Sequence, residues 1–250
     1  MRLSMDLSYG GFGAEVERQV SRTAALARVV VVAAAGAMMA MSGPASAQTP
    51  PVQQDVKDVK PIKLAVLGDS LTAGYGLPAP AAFPVRLQKA LRDKGIATDV
   101  HNAGVSGDTT TGGLARLDWS IPAGTEAVIV ELGANDALRG VDPKVARGAL
   151  DEILNRLKAR NIAVLLCGMY APPNYGADYT AKFNSIYPDL AKSHKVPLYP
   201  FFLDGVATEA KLTQPDGLHP TAAGVDVVVA RILPAVEAFL KDRALQLNKP

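Results

Sequence analysis

Ile62-Lys63-Leu64-Ala65-Val66-Leu67-Gly68-Asp69-Ser70-Leu71-Thr72-Ala73-Gly74-Tyr75 is the stretch from which the rest of the chain is read. Its first half is a short apolar run without the alternation of a half-exposed sheet, so it reads as a strand buried on both faces. Its second half is polar and Gly-rich, which places a turn directly after the strand. Comparable apolar runs recur at 97–102, 127–132, 162–167 and, more briefly, 196–199. Amphipathic stretches at 82–94, 143–160, 178–194 and 221–240 separate or follow them and predict helices. Gly95 ends the first and Asp142 caps the second, while Pro188 and Pro234 should kink or break the last two. This alternation predicts an α/β fold with a parallel sheet covered by helices on both faces.

Upstream, Arg18, Arg22 and Arg28 precede an uncharged run over 29–41, followed by Gly43, Pro44 and Ala45-Ser46-Ala47 before Gln48. The pattern reads as a secretory signal over 1–47 cleaved after Ala47. A membrane span would need about 20 apolar residues, more than this run supplies. A Pro/Gln-rich polar linker is expected over 48–60, one domain over 61–242 and a short tail over 243–250. The expected location is periplasmic or secreted, with no stable membrane anchor and a monomer as the default. The formal net charge of +2 leaves no electrostatic footprint for nucleic acid. With Cys167 as the only cysteine no intramolecular disulfide can form, and its place in an apolar run reads as a buried small hydrophobe.

In an open parallel sheet, ligands bind outside the carboxyl ends of the strands. Polar, Gly-rich clusters stand at those positions: Gly68 to Tyr75 after the first run, Asn102 to Thr110 after the second, and Gly133-Ala134-Asn135-Asp136 after the third. A fourth, Asp216-Gly217-Leu218-His219-Pro220, precedes the last helix. A serine hydroxyl needs a base to take its proton. Of three histidines, His101 lies in a strand and His194 on a polar helix face, where structural roles suffice, whereas His219 follows a Gly turn with a carboxylate three residues earlier. Asp216 can there reach Nδ1 of His219 and leave Nε2 for Ser70. The backbone N–H groups of Ser70 and Gly104 and the side-chain amide of Asn135 are candidate donors to an oxyanion.

Together these blocks resemble the signature motifs of the SGNH (GDSL) hydrolases. Leu117-Asp118, Glu131-Leu132-Gly133, Leu138-Arg139-Gly140, Pro173-Asn174-Tyr175-Gly176, Ile186-Tyr187-Pro188 and Val196-Pro197-Leu198 further resemble its periplasmic acyl-CoA thioesterase, lysophospholipase and arylesterase branch. The resemblance implies a flavodoxin-like, three-layer α/β/α fold with a five-stranded parallel sheet. It also implies Ser70 as nucleophile, Asp216 and His219 completing a triad, and an oxyanion hole of Ser70, Gly104 and Asn135. The implied reaction is hydrolysis of small acyl esters and thioesters without cofactor or metal. A carbohydrate O-deacetylase on the same scaffold and a non-catalytic binding module remain alternatives.

Tyr75, Leu77, Leu114, Leu138, Pro172 and Tyr175 are candidates to line an acyl pocket at the same edge. Trp119 is expected to pack under a helix carrying Leu114 and Leu117, and Arg139 to make a surface salt bridge. No serine lies in a Gly-x-Ser-x-Gly elbow, which disfavours the α/β-hydrolase fold. The scattered histidines offer no ligand-spaced metal cluster, and no Walker-type phosphate loop occurs.

Overall fold

Strand β1 (Ile62–Gly68) is buried from Leu64 onward and forms the centre from which the sheet is built. The computed structural model describes residues 60–247. The expected signal over 1–47 and nearly all of the 48–60 linker lie outside these residues. In chain order there follow α1 (Ser70–Ala73), α2 (Phe83–Asp93), β2 (Thr98–Gly104), α3 (Thr110–Ala115), α4 (Leu117–Ser120) and β3 (Ala127–Glu131). The remainder comprises α5 (Ala134–Leu138), α6 (Pro143–Ala159), β4 (Ala163–Cys167), α7 (Gly176–Asn184), α8 (Ile186–His194), β5 (Leu198–Tyr199) and α9 (Ala222–Leu247).

All pairings are parallel and the strand order is β2-β1-β3-β4-β5. This is the expected flavodoxin-like order, whose direction of winding reverses between β1 and β3. Gly68 is level with Gly104 on one side and with Glu131 on the other. The segments after β1, β2 and β3 therefore leave the sheet side by side.

The central strands match their apolar sequences, with every residue of β3 buried. The edge strands depart from the expectation of burial on both faces. β2 leaves Asp99, His101 and Asn102 exposed, and β5 is only half-buried, because each has a neighbour on one side alone. Apolar helix faces close both sides of the sheet: α2 packs with α9 on one, and α3, α6 and α8 pack together on the other. Leu87, Leu91, Leu150, Ile153, Leu154, Leu157 and Ile232 carry these faces into the core. Each such side chain contributes about 1.5–3 kcal/mol by leaving water. Asp142 caps α6 as expected, its Oδ1 accepting from Lys144 N at 2.9 Å ahead of Pro143 at the first helical position.

The helix expected over 178–194 is two helices divided at Ser185, with Pro188 in the first turn of α8, where its missing N–H costs no intrahelical bond. Pro234 does not break α9, which continues to Leu247. The segment 110–120 is also two short helices, and Trp119 does not pack beneath them: it is 76% exposed. Arg116, Leu117 and Ser120 take the inward positions of that turn and leave Trp119 on the outer face.

Candidate active site

Ser70 is the first residue of α1, directly after β1, and Asp69 caps that helix by accepting Leu71 N–H at 2.9 Å through Oδ1. The serine points at a residue 149 positions away: Ser70 Oγ and His219 Nε2 are 2.8 Å apart. On the far side of the imidazole, Nδ1 lies 2.6 Å from Asp216 Oδ2. Asp216 is held by its own turn, with Oδ1 accepting from Leu218 N at 2.9 Å and His219 N at 3.0 Å. Those backbone donors, followed by the His219 side chain, lower its carboxyl to a pKa of about 2. The Tyr75 ring lies against the imidazole with centroids 4.5 Å apart.

Gly104 ends β2 against α1. A Cβ there would sit 2.4 Å from Ala73 N and 2.8 Å from Ala73 Cα, both backbone atoms, so no larger residue allows this approach. Its N–H donates to Asn102 Oδ1 at 2.9 Å. Asn135, in the first turn of α5, donates from Nδ2 to Asp108 O at 2.9 Å and to Asp69 Oδ2 at 3.2 Å. The adjacent Asp136 is buried and anchors that turn to α3, accepting Thr110 N at 2.8 Å and Thr110 Oγ1 at 2.7 Å.

A layer of buried polar groups lies under these residues, and the sequence reading did not single it out. Arg116 Nη2 donates to Gly68 O and Nη1 to Ala103 O, each at 2.8 Å, while Nε meets Asp108 Oδ2 at 2.5 Å. One guanidinium thus fixes the carbonyl ends of β1 and β2 and, through Asp108, the carbonyl that holds Asn135. Glu131 Oε2 accepts from Thr72 Oγ1 at 2.7 Å and Asp69 N at 3.4 Å, while Oε1 is buried without a partner. Burial, reinforced by the charge of Asp69, pushes Glu131 well above the usual carboxylate range. Asp69 rises to about 6, chiefly through burial, against the lowering effect of its Leu71 and Asn135 hydrogen bonds. The signal available in sequence was positional: Glu131 and Asp108 lie within the motif blocks, without a role of their own being read from them. An inward-turning arginine between two short helices leaves none.

Of the acyl-pocket candidates, Tyr75 is at the triad, while Leu77 and Leu114 pack against the core. Leu138 and Tyr175 are joined, Tyr175 Oη donating to Leu138 O at 2.8 Å, and Pro172 is half-buried just before Tyr175's turn of 3-10 helix. Arg139 makes no ion pair among the described residues; it donates to Gly107 O at 2.9 Å, so a backbone carbonyl takes the place of the expected salt bridge. His194 pairs with Asp151 at 2.6 Å and His101 lies exposed on β2, both away from Ser70. A cavity of about 320 Å³ lined by Leu154, Ile162, Val196 and Phe239 lies at the opposite, N-terminal edge of the strands and contains no residue of the Ser70 cluster. The described residues contain no cluster of potential metal ligands.

Comparison with known proteins gives the family and agrees with the fold. Residues 66–227 match the model of the GDSL-like lipase/acylhydrolase family. The chain is 45% identical over 159 residues to the arylesterase of Vibrio mimicus, covering 63% of this chain and 80% of that protein. It is also 45% identical over 158 residues to thioesterase 1/protease 1/lysophospholipase L1 of Escherichia coli, covering 63% of this chain and 74% of the relative. Among solved structures, the SGNH-hydrolase family esterase AlinE4 superposes with a TM-score of 0.61 at 47% identity, covering 72% of this chain and 96% of that one.

Proposed function

The chain belongs to the GDSL-like lipase/acylhydrolase family and is a hydrolase of carboxylic ester and thioester bonds, and on that premise we propose that Ser70, His219 and Asp216 are its catalytic triad. The observation that carries the assignment is the continuous line from Asp216 Oδ2 through His219 to Ser70 Oγ, with separations of 2.6 and 2.8 Å. No other serine–histidine hydrogen bond occurs among the described residues.

His219 Nε2 accepts the Ser70 proton as Oγ attacks the acyl carbon. Asp216 keeps the other ring proton on Nδ1 and faces the imidazolium that forms. Tyr75 adds an aromatic face to that cation. The proposed oxyanion hole takes the acyl oxygen on the backbone N–H of Ser70 and the Asn135 amide, with the Gly104 N–H joining them by leaving Asn102 Oδ1. The collapse of the tetrahedral species breaks the bond to the alcohol or thiol, to which His219 returns the proton. Water then attacks the acyl-enzyme by the same path and releases the acid.

The Asn135 amide is already oriented by Asp108 O and Asp69, and the oxyanion draws on the longer, 3.2 Å bond. Asn135→Ala is therefore expected to lower kcat for a short acyl ester by about 10²- to 10³-fold, with KM within about threefold. Steady-state kinetics on one substrate check this, and a loss confined to KM would take Asn135 out of the oxyanion hole.

Covalent labelling tests the triad itself. An activated phosphonate should modify one serine, on the peptide containing Ser70, and remove activity in proportion to labelling. Labelling elsewhere, or none, would overturn the assignment. We also propose that the enzyme is exported, on the 18–47 pattern. The intact mass of the labelled protein reads this directly: loss of residues 1–47 supports it and their retention refutes it. Among the described residues, no helix is long and apolar enough to cross a membrane.

A further inference from the structure

Ser70 and His219 come from distant parts of the chain, and the hydrogen bond between them does not explain how the two segments are held. The Asp216–His219 loop is closed within itself. Gln214 N donates to His219 O at 2.7 Å, Gly217 N to Gln214 O at 2.9 Å, and Thr221 N to Leu212 O at 2.8 Å, while Thr213 and Pro220 form an antiparallel bridge. Asp216 and His219 therefore move as one unit. The α1 segment is closed in the same way, with Tyr75 N donating to Ser70 O at 3.1 Å.

One side chain joins the two units. Gln214 Nε2 donates one hydrogen to Pro220 O at 3.0 Å, inside the histidine loop, and the other to Tyr75 O at 2.8 Å, inside the serine segment. Both donors of the amide are used, and each meets a carbonyl from a different unit. The next residue after Tyr75 is shaped for this contact. Gly76 has φ of +70°, and a Cβ there would lie 2.3 Å from Gln214 Oε1, so a side chain would displace the amide. The same tether holds Tyr75, whose ring covers the His219 imidazole.

We propose that Gln214 is a positioning residue that clamps the Ser70 segment to the Asp216–His219 loop and so sets the Ser70–His219 separation. The proposal rests on the triad reading above. The amide touches no reacting atom; it acts through the two backbones. Misplacement of reacting groups by about 1 Å can cost 10²-fold in rate, which sets the scale of the effect.

Gln214→Met keeps the length of the side chain and removes both donors. It is expected to lower the second-order rate of Ser70 phosphonylation, and kcat for an acyl ester, by about 10- to 100-fold, with KM within about threefold. The proton NMR signal of His219 Nδ1–H, held by Asp216 inside one turn, should remain. A merely structural role would instead lower the fraction of protein that can be labelled and leave the rate per labelled site unchanged. Gln214→Glu, isosteric but presenting an acceptor to two carbonyls, should be slower than Gln214→Met. A labelled parent whose Gln214→Met variant reacts within twofold of the parent rate overturns the clamp alone, and loss of the Nδ1–H signal overturns it as well, by placing the action of Gln214 inside the Asp–His turn. A parent left unlabelled overturns the triad reading and the clamp with it. Where Gln214→Met does not fold, the parent decides: two separate, slowly exchanging Nε2 proton signals support the clamp, and exchange as fast as in free glutamine refutes it.

Discussion

Ser70→Ala is expected to lower kcat/KM for acyl esters and thioesters by about 10⁶-fold, the loss that accompanies removal of a triad serine, while the protein stays folded. The removed atom is the one 2.8 Å from His219 Nε2. The structural cost is small, because the cap on α1 is supplied by Asp69 through Leu71 N and not by the Ser70 hydroxyl. Alanine is also the best helix former at a position already helical. What remains in the variant is the orientation of substrate beside Gly104 and Asn135, which can still exceed the uncatalysed rate by 10³- to 10⁴-fold. The measurement is a panel of short and long acyl esters and thioesters, run on parent and variant at equal folded concentration. Equal rates on any member would show that its hydrolysis does not pass through Ser70, and equal rates on all would remove the serine from the mechanism. A parent that prefers acetylated sugars to long acyl chains, and loses that activity too in Ser70→Ala, would favour deacetylation by the same triad.

The elements that place this serine were legible because their physics is local. β1 and β3 are so apolar that they can only be central strands, and a polar, Gly-rich cluster after each marks the edge where chemistry collects. Asp216 and His219 were legible for a similar reason, since three residues and a glycine suffice to bring the carboxylate to Nδ1. The misread features depend on what a side chain meets across the fold. Trp119 could not be placed without knowing that Arg116 turns inward to reach Gly68 O and Ala103 O, partners 48 and 13 residues away. The exposure of β2 follows from its place at the edge and from its own Asp99, His101 and Asn102, polar residues that the reading of an apolar run passed over. Gln214 shows the limit most clearly. As a sequence feature it is a polar residue in a loop, and its meaning lies in a carbonyl 139 residues earlier.

Asp216→Asn is expected to cost about 10⁴-fold in kcat, roughly a hundredfold less than losing the nucleophile or its base, through the tautomer of His219 more than through charge. Asp216 Oδ2 is an acceptor 2.6 Å from Nδ1, so the ring proton resides on Nδ1 and Nε2 is free to take the Ser70 proton. In the variant, Oδ1 of asparagine can still accept from Leu218 N and His219 N, which leaves its Nδ2 hydrogens facing the ring. Nδ1 then becomes the acceptor, the proton moves to Nε2, and Nε2 donates to Ser70 Oγ when it should accept from it. The charge itself is worth less, because the Asp216 side chain is 37% exposed and water screens it.

The pH dependence separates the two contributions. Asp216 titrates near 2 in the folded protein, below the ordinary value of 3.8, so the folded state holds fewer protons than the unfolded chain between those limits. Its contribution to stability is present above about pH 4 and is lost as the pH falls through about 2. The carboxylate is thus fully ionised across any neutral assay range, and a fall in rate on mild acidification cannot be assigned to it. Asp216→Asn should therefore remain about 10⁴-fold slow from pH 6 to pH 9 and should lose less stability than the parent between pH 4 and pH 2. Kinetics across the first range and acid unfolding across the second check both halves. A variant within tenfold of the parent at neutral pH would show that another group fixes the His219 tautomer, and Asp216 would then be a turn-forming residue only.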